Sequence, residues 1–142
     1  MKISSVVFVL TALFFGSCTH YQSPGDLLQR AVSDYNEGIR WQNWKVAAEY
    51  VPRSERADFL ARKEGQSGAM HVTDFEIRDV THDSEKGEAS VVVDFGWHRY
   101  PSLTVHSTRV RQQWRYIKSR WVLEGQEEIK PEKEEMTPDK MF

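Results

Sequence analysis

Five apolar residues at alternate positions, Ala89, Val91, Val93, Phe95 and Trp97, constrain this chain more than any other feature. Glu88, Asp94 and His98 fall in the opposite phase, so the segment has one dry face and one wet face. A period of two belongs to a half-buried β-strand, because successive side chains leave opposite sides of the backbone.

That strand has partners on both sides. Residues 72–80 alternate around Phe75 and Ile77, with a phase slip near Asp74 that predicts a bulge. The polar run Asp83-Ser84-Glu85-Lys86-Gly87 reads as a turn. After a turn at Tyr100-Pro101-Ser102, residues 103–117 read as a long strand, and Lys118-Ser119 reverses the chain into a last strand over 120–125. Register follows from chemistry. Setting Glu88 against Arg115 and Asp94 against Arg109 puts opposite charges together on one face. The same register sets Val93 against Val110, Ala89 against Trp114 and Trp97 against His106 on the other. A slip of one residue would drive Arg109 and Arg111 among the valines. In the final hairpin, Tyr116 against Trp121 and Trp114 against Leu123 continue the apolar face.

Upstream, the period changes to that of helices. Ser23 is placed as an N-cap, Pro24 takes the first helical position and Asp26 the first turn. Leu28, Ala31, Val32, Tyr35 and Ile39 then recur at helical spacing, with Gly38 read as the end. A second helical segment over 43–50 turns Trp44, Ala47, Ala48 and Val51 to one side and stops at Pro52. A third, over 55–63 with Ser54 as cap, carries Ala57, Leu60 and Ala61 inward. Helices followed by a four-stranded antiparallel meander make an α+β fold, the helices covering the aromatic face of the sheet.

Composition limits function. The net charge is −2, and it comes from the tail, where six acids stand against Lys130, Lys133 and Lys140. A charge-balanced body gives no electrostatic footprint for nucleic acid. Residues 126–142, charged and holding Pro131 and Pro138, are expected to be a disordered extension. No phosphate-binding glycine loop, nucleophile elbow or zinc motif occurs, and no cofactor or metal is expected. Of His71, His82, His98 and His106, the two nearest one another, His98 and His106, fall on opposite faces.

Two resemblances add to this reading. Lys2, the apolar run over 3–15 and Phe15-Gly16-Ser17-Cys18 resemble the bacterial lipoprotein signal, with Phe15 where that pattern usually has Leu. The run is shorter than a spanning helix needs. The resemblance implies a signal peptide over 1–17, acylation of Cys18, a tether over 18–23 and an envelope protein held by its lipid. Thr19, where an acidic residue would favour the inner membrane, leans it toward the outer membrane facing the periplasm. Second, amphipathic helices before long antiparallel strands, ending in the hairpin from Gln113 to Leu123, resemble the NTF2-like (cystatin-like) cone fold over residues 24–125.

The cone implies a pocket between sheet and helices. In the register above, its polar residues are His106, Thr108 and Gln112, flanked by Trp97, Tyr116 and Trp121. We take Trp97, His106, Thr108, Gln112 and Tyr116 as the candidate pocket. Only His106 is a candidate base, and Asp94 falls on the wrong face to serve it; Glu49 or Asp58 from the helices would have to. No catalytic residue is assigned. Trp41 and Trp44 form either an aromatic platform or part of the core, with Trp44 packed on the sheet and Trp41 half exposed. The arginines at 99, 109, 111, 115 and 120 offer either cross-strand ion pairs or a docking stripe. The functional expectation is a non-catalytic interaction or scaffolding domain with an envelope partner. Binding of a small apolar or amphipathic ligand is the alternative, and a pocket isomerase or cyclase the third reading.

Overall fold

The structure, a computed structural model, describes residues 22–130. The signal segment, Cys18 and the tail from Pro131 onward lie outside the described residues.

The first helix, α1 (Pro24–Arg40), begins as its sequence dictates. Ser23 Oγ accepts from the Asp26 amide at 3.2 Å, and the Asp26 carboxylate accepts from the Ser23 amide at 3.1 Å, a reciprocal capping box. Gly38 does not end the helix. It is buried, and a Cβ there would stand 3.0 Å from the Ala47 backbone nitrogen. Its missing side chain lets the next helix, α2 (Trp44–Ala48), lie directly on α1. The reversal falls instead at Gln42, with φ of 55°, and Asn43 caps α2 by accepting from the Val46 amide.

A 3-10 turn at Arg53–Glu55 precedes α3 (Arg56–Gly65) and absorbs Ser54, which caps nothing. The helix is set so that Phe59 is buried, while Ala57 and Ala61 are exposed and Leu60 is half-buried. The bulkiest apolar residue of α3 thus takes the inward position, its ring 6.5 Å from that of Tyr35.

The sheet is a meander in the order β1 (His71–Asp83), β2 (Glu88–His98), β3 (His106–Ile117), β4 (Arg120–Glu128). Val93 faces Val110, Ala89 faces Trp114 and Trp97 faces His106, as the charge pattern requires. Tyr116 faces Trp121 and Trp114 faces Leu123. Register shifts in β1 fall between Val72 and Asp74 and again between Ile77 and Asp79. Together they keep Val72, Phe75, Ile77, Val80 and His82 in phase with the apolar face of β2. Strand β3 begins at His106 rather than 103, because Leu103 and Val105 stand exposed in the preceding loop. Strand β4 runs on to Glu128, so the extension expected from 126 starts as paired strand: Gln126 faces Gln112 and Glu128 faces Val110.

Helices and sheet meet over Tyr35, Phe59, Val91, Val93, Trp114 and Trp121, all buried. The Trp114 ring stands edge-on to Tyr35 at 5.8 Å and to Tyr50 at 6.3 Å. At one end the Trp121 indole N–H donates to the Pro24 carbonyl at 2.7 Å, and the Leu123 amide donates to the Tyr50 carbonyl at 2.7 Å. The outer sheet face is a lattice of ion pairs. Asp94 accepts from Arg109 at 2.6 Å and from Arg78 at 2.8 Å, and Arg115 reaches both Glu88 and Glu124. The two guanidiniums, Arg109 foremost, hold the Asp94 carboxyl well below the usual carboxylate range.

Candidate functional site between helices and sheet

At the end of the sheet away from Trp121 the two layers part. A cavity of about 310 Å3 opens there, within the size range of small-molecule sites. Tyr35 and Ile39 come from α1, Lys63 from the last turn of α3, and Val72 from the start of β1. Phe95 and Trp97 come from β2, Thr108 and Val110 from β3, and Gln126 and Glu128 from β4. The apolar wall is the inward phase of three strands, so the alternation that builds the sheet also builds the cavity.

The predicted pocket residues do not all meet there. Trp97 and Thr108 line the cavity, and the Trp97 indole N–H donates to Thr108 Oγ1 at 2.9 Å, which fixes the ring. His106 stacks on Trp97 with ring centroids 4.7 Å apart, but it is exposed and not part of the lining. Gln112 is fully buried and closes the interior behind Gln126, to whose side-chain Oε1 it donates at 3.1 Å. Tyr116 lies at the other end, its ring 5.2 Å from that of Trp121. A single strand running the length of the cone supplies both ends, so sharing a face did not bring these residues into one cavity.

The carboxylates considered for His106 stand elsewhere. Glu49 lines a separate open cleft with Arg30, Tyr50 and Arg120 near Trp121, and Asp58 is exposed on α3. His98 stacks on His71 at 5.5 Å across the two strands. Among the described residues no group of three or more His, Cys, Asp or Glu is placed to hold a metal. Trp41 is 69% exposed, its indole donating to Glu37 and its ring covered by Arg40. Trp44 is half-buried, with the Lys63 ammonium over its ring.

Several polar residues at or behind this site escaped the sequence reading. Gln126 and Glu128 line the cavity although they were placed in the extension, and Arg99 lines it although it was placed in the arginine stripe. Asn36 and Lys63 were not singled out. Asn36, fully buried on α1, donates to the Val32 carbonyl and meets Gln112 amide to amide. Lys63 stands 5.8 Å from the ring centroids of both Trp44 and Phe59, and burial holds its ammonium below the ordinary lysine value, with Arg62 adding to the effect. The signal for Lys63 was its spacing: it follows Phe59 by four residues and shares its helix face.

Solved structures with the same arrangement decide the fold. An NTF2-like protein of unknown function from Shewanella oneidensis superposes with a TM-score of 0.60 at 14% identity, over 75% of this chain and 98% of that one. The fold is NTF2-like. A ketosteroid isomerase-like protein from Erwinia carotovora atroseptica shares the NTF2-like arrangement at a TM-score of 0.60 and 10% identity, over 78% of this chain and 100% of its own. A cystatin-like protein of unknown function from Nostoc punctiforme matches at 0.51 and 11%, over 74% and 90%. At such identities the likeness is one of fold. No protein-family model and no curated protein matches the chain.

Proposed function

We propose that this chain is a lipid-anchored protein of the bacterial cell envelope whose NTF2-like domain binds a small amphipathic ligand in the cavity between its helices and sheet. The cavity carries the binding reading: a preformed aromatic and aliphatic wall with a few convergent polar groups is the ordinary make-up of a small-molecule site. The anchor reading rests on Met1 to Cys18, with Cys18 as the acylated residue. A tether over 18–23 reaches about 20 Å at full extension. It joins α1 at the end where Trp121 holds Pro24, the opposite end of that helix from Ile39, which lines the cavity.

Native mass spectrometry of the full chain purified from its host tests the cavity. A small molecule that stays bound, and is lost on Trp97→Ala, supports the reading; a bare mass together with no binding of apolar probes sinks it. Palmitate labelling that persists in Cys18→Ser would refute the anchor.

One observation favours the interaction reading as well. The loop between β2 and β3, which begins at the cavity residue Arg99, leaves Tyr100 72%, Leu103 78% and Val105 61% exposed. Clustered exposed apolar side chains are the usual mark of a contact surface. The outer sheet face, where arginines and carboxylates already pair, offers less. Crosslinking from Leu103 to an envelope protein, abolished by Leu103→Asp, is the expected outcome on this reading.

A further inference from the structure

Charge is distributed unevenly around the cavity. Its walls are Val72, Phe95, Trp97 and Val110, while the charged groups of the lining are Lys63, Arg99 and Glu128. Among the described residues neither Lys63 nor Arg99 makes an ion pair, although Arg78, Arg109, Arg111 and Arg115 on the outer face all do. Lys63 is the more telling of the two. Its ammonium lies over two ring faces that remove water from it and offer no hydrogen-bond acceptor. A half-desolvated cation beside an apolar cavity lacks an anionic hydrogen-bonding partner, and an entering ligand is placed to supply one. Glu128, on β4, opposes an anion, but two cations to one carboxylate leave the lining positive.

We infer that the ligand of this cavity is an amphipathic anion, an apolar body against Trp97 and Val110 with a single carboxylate received by Lys63 and Arg99. The inference deepens the cavity reading and rests on it. A neutral apolar ligand would fill the same walls but leave the Lys63 ammonium without an anion. A carboxylate adds charge-assisted hydrogen bonds, which distinguish it from an uncharged analogue of equal length by about 10-fold or more in affinity.

Calorimetric titration of the full chain with decanoate and with decan-1-ol separates the possibilities. The expected result is tighter binding of decanoate, with Lys63→Met and Arg99→Gln each narrowing the ratio of decanoate to decan-1-ol affinity toward one. Arg99 is exposed, so its variant tests charge without disturbing the core. Equal binding of the two probes, or a preference that survives both substitutions, overturns the anionic ligand and leaves the cavity reading standing. Failure of both probes to bind overturns the cavity reading and this inference together, and binding of decan-1-ol alone overturns the anionic ligand.

Discussion

Asn36 and Gln112 meet amide to amide in the interior, with the Gln112 Nε2 donating to Asn36 Oδ1 at 2.8 Å and the Asn36 Nδ2 donating back at 3.3 Å. Both side chains are fully buried, and the Trp114 indole N–H also donates to the Gln112 Oε1. This pair ties α1 to β3 at the depth where the cavity ends and the solid core begins.

Replacing one member strands the other. Asn36→Leu or Gln112→Leu alone is expected to cost about 2–3 kcal/mol, the penalty of a buried amide left partly unsatisfied. The double variant is expected to cost clearly less than the sum of the two. Urea unfolding of the four proteins measures the coupling; strict additivity would contradict it.

Asp94 predicts a pH dependence. Its folded-state carboxyl is held below the ordinary aspartate value of about 4, so its contribution is fully present above that value and is lost as pH falls below it. Both arginine partners are about half exposed, which limits the effect to about 1 kcal/mol at neutral pH. Asp94→Asn should therefore be less stable than the parent near neutrality, and thermal melts of the two should converge as the buffer is taken to acid.

Gly38→Ala tests the contact between α1 and α2. Alanine gains about 1 kcal/mol of helix propensity over glycine. Here its methyl would stand 3.0 Å from the Ala47 nitrogen and 3.2 Å from the Ala47 Cβ. Overpacking of this kind costs about 1–3 kcal/mol, so the net effect is a loss despite the better helix former. A rise in melting temperature would show that the two helices separate freely.

Trp121→Phe removes the bond to the Pro24 carbonyl and the edge contact with His82, at 5.2 Å between rings. A loss of about 2 kcal/mol is expected. Hydrogen exchange should quicken at the Leu27 amide, which bonds the Ser23 carbonyl in the first turn of α1, more than in the centre of β3.

The sheet was more legible than the helices, for a physical reason. In β2 and β3 each residue commits to one of two faces and charges mark the wet one, so a wrong register would bury Arg109 or Arg111. The second slip in β1, at Ile77/Asp79, was hidden because Arg78 and Asp79 suit the outer face in either phase. Gly38 misled because glycine serves equally at a helix end and at a close approach, and only the position of Ala47 tells which. Tyr116 was grouped with Trp97 because the alternation fixes a face but not a depth. Lys63 went unread because the spacing brings it only to Phe59 on its own helix, whereas Trp44 reaches it only once α2 packs against α3.

The amide pair between Asn36 and Gln112 lies directly behind Gln126, which lines the cavity. A molecule seated above Gln126 has protein beneath it and solvent over its head, with no lid among the described residues that must open to release it. On the binding reading proposed above, the residence time of a ligand is set by its contacts with the cavity walls, and occupancy follows the surrounding concentration of ligand.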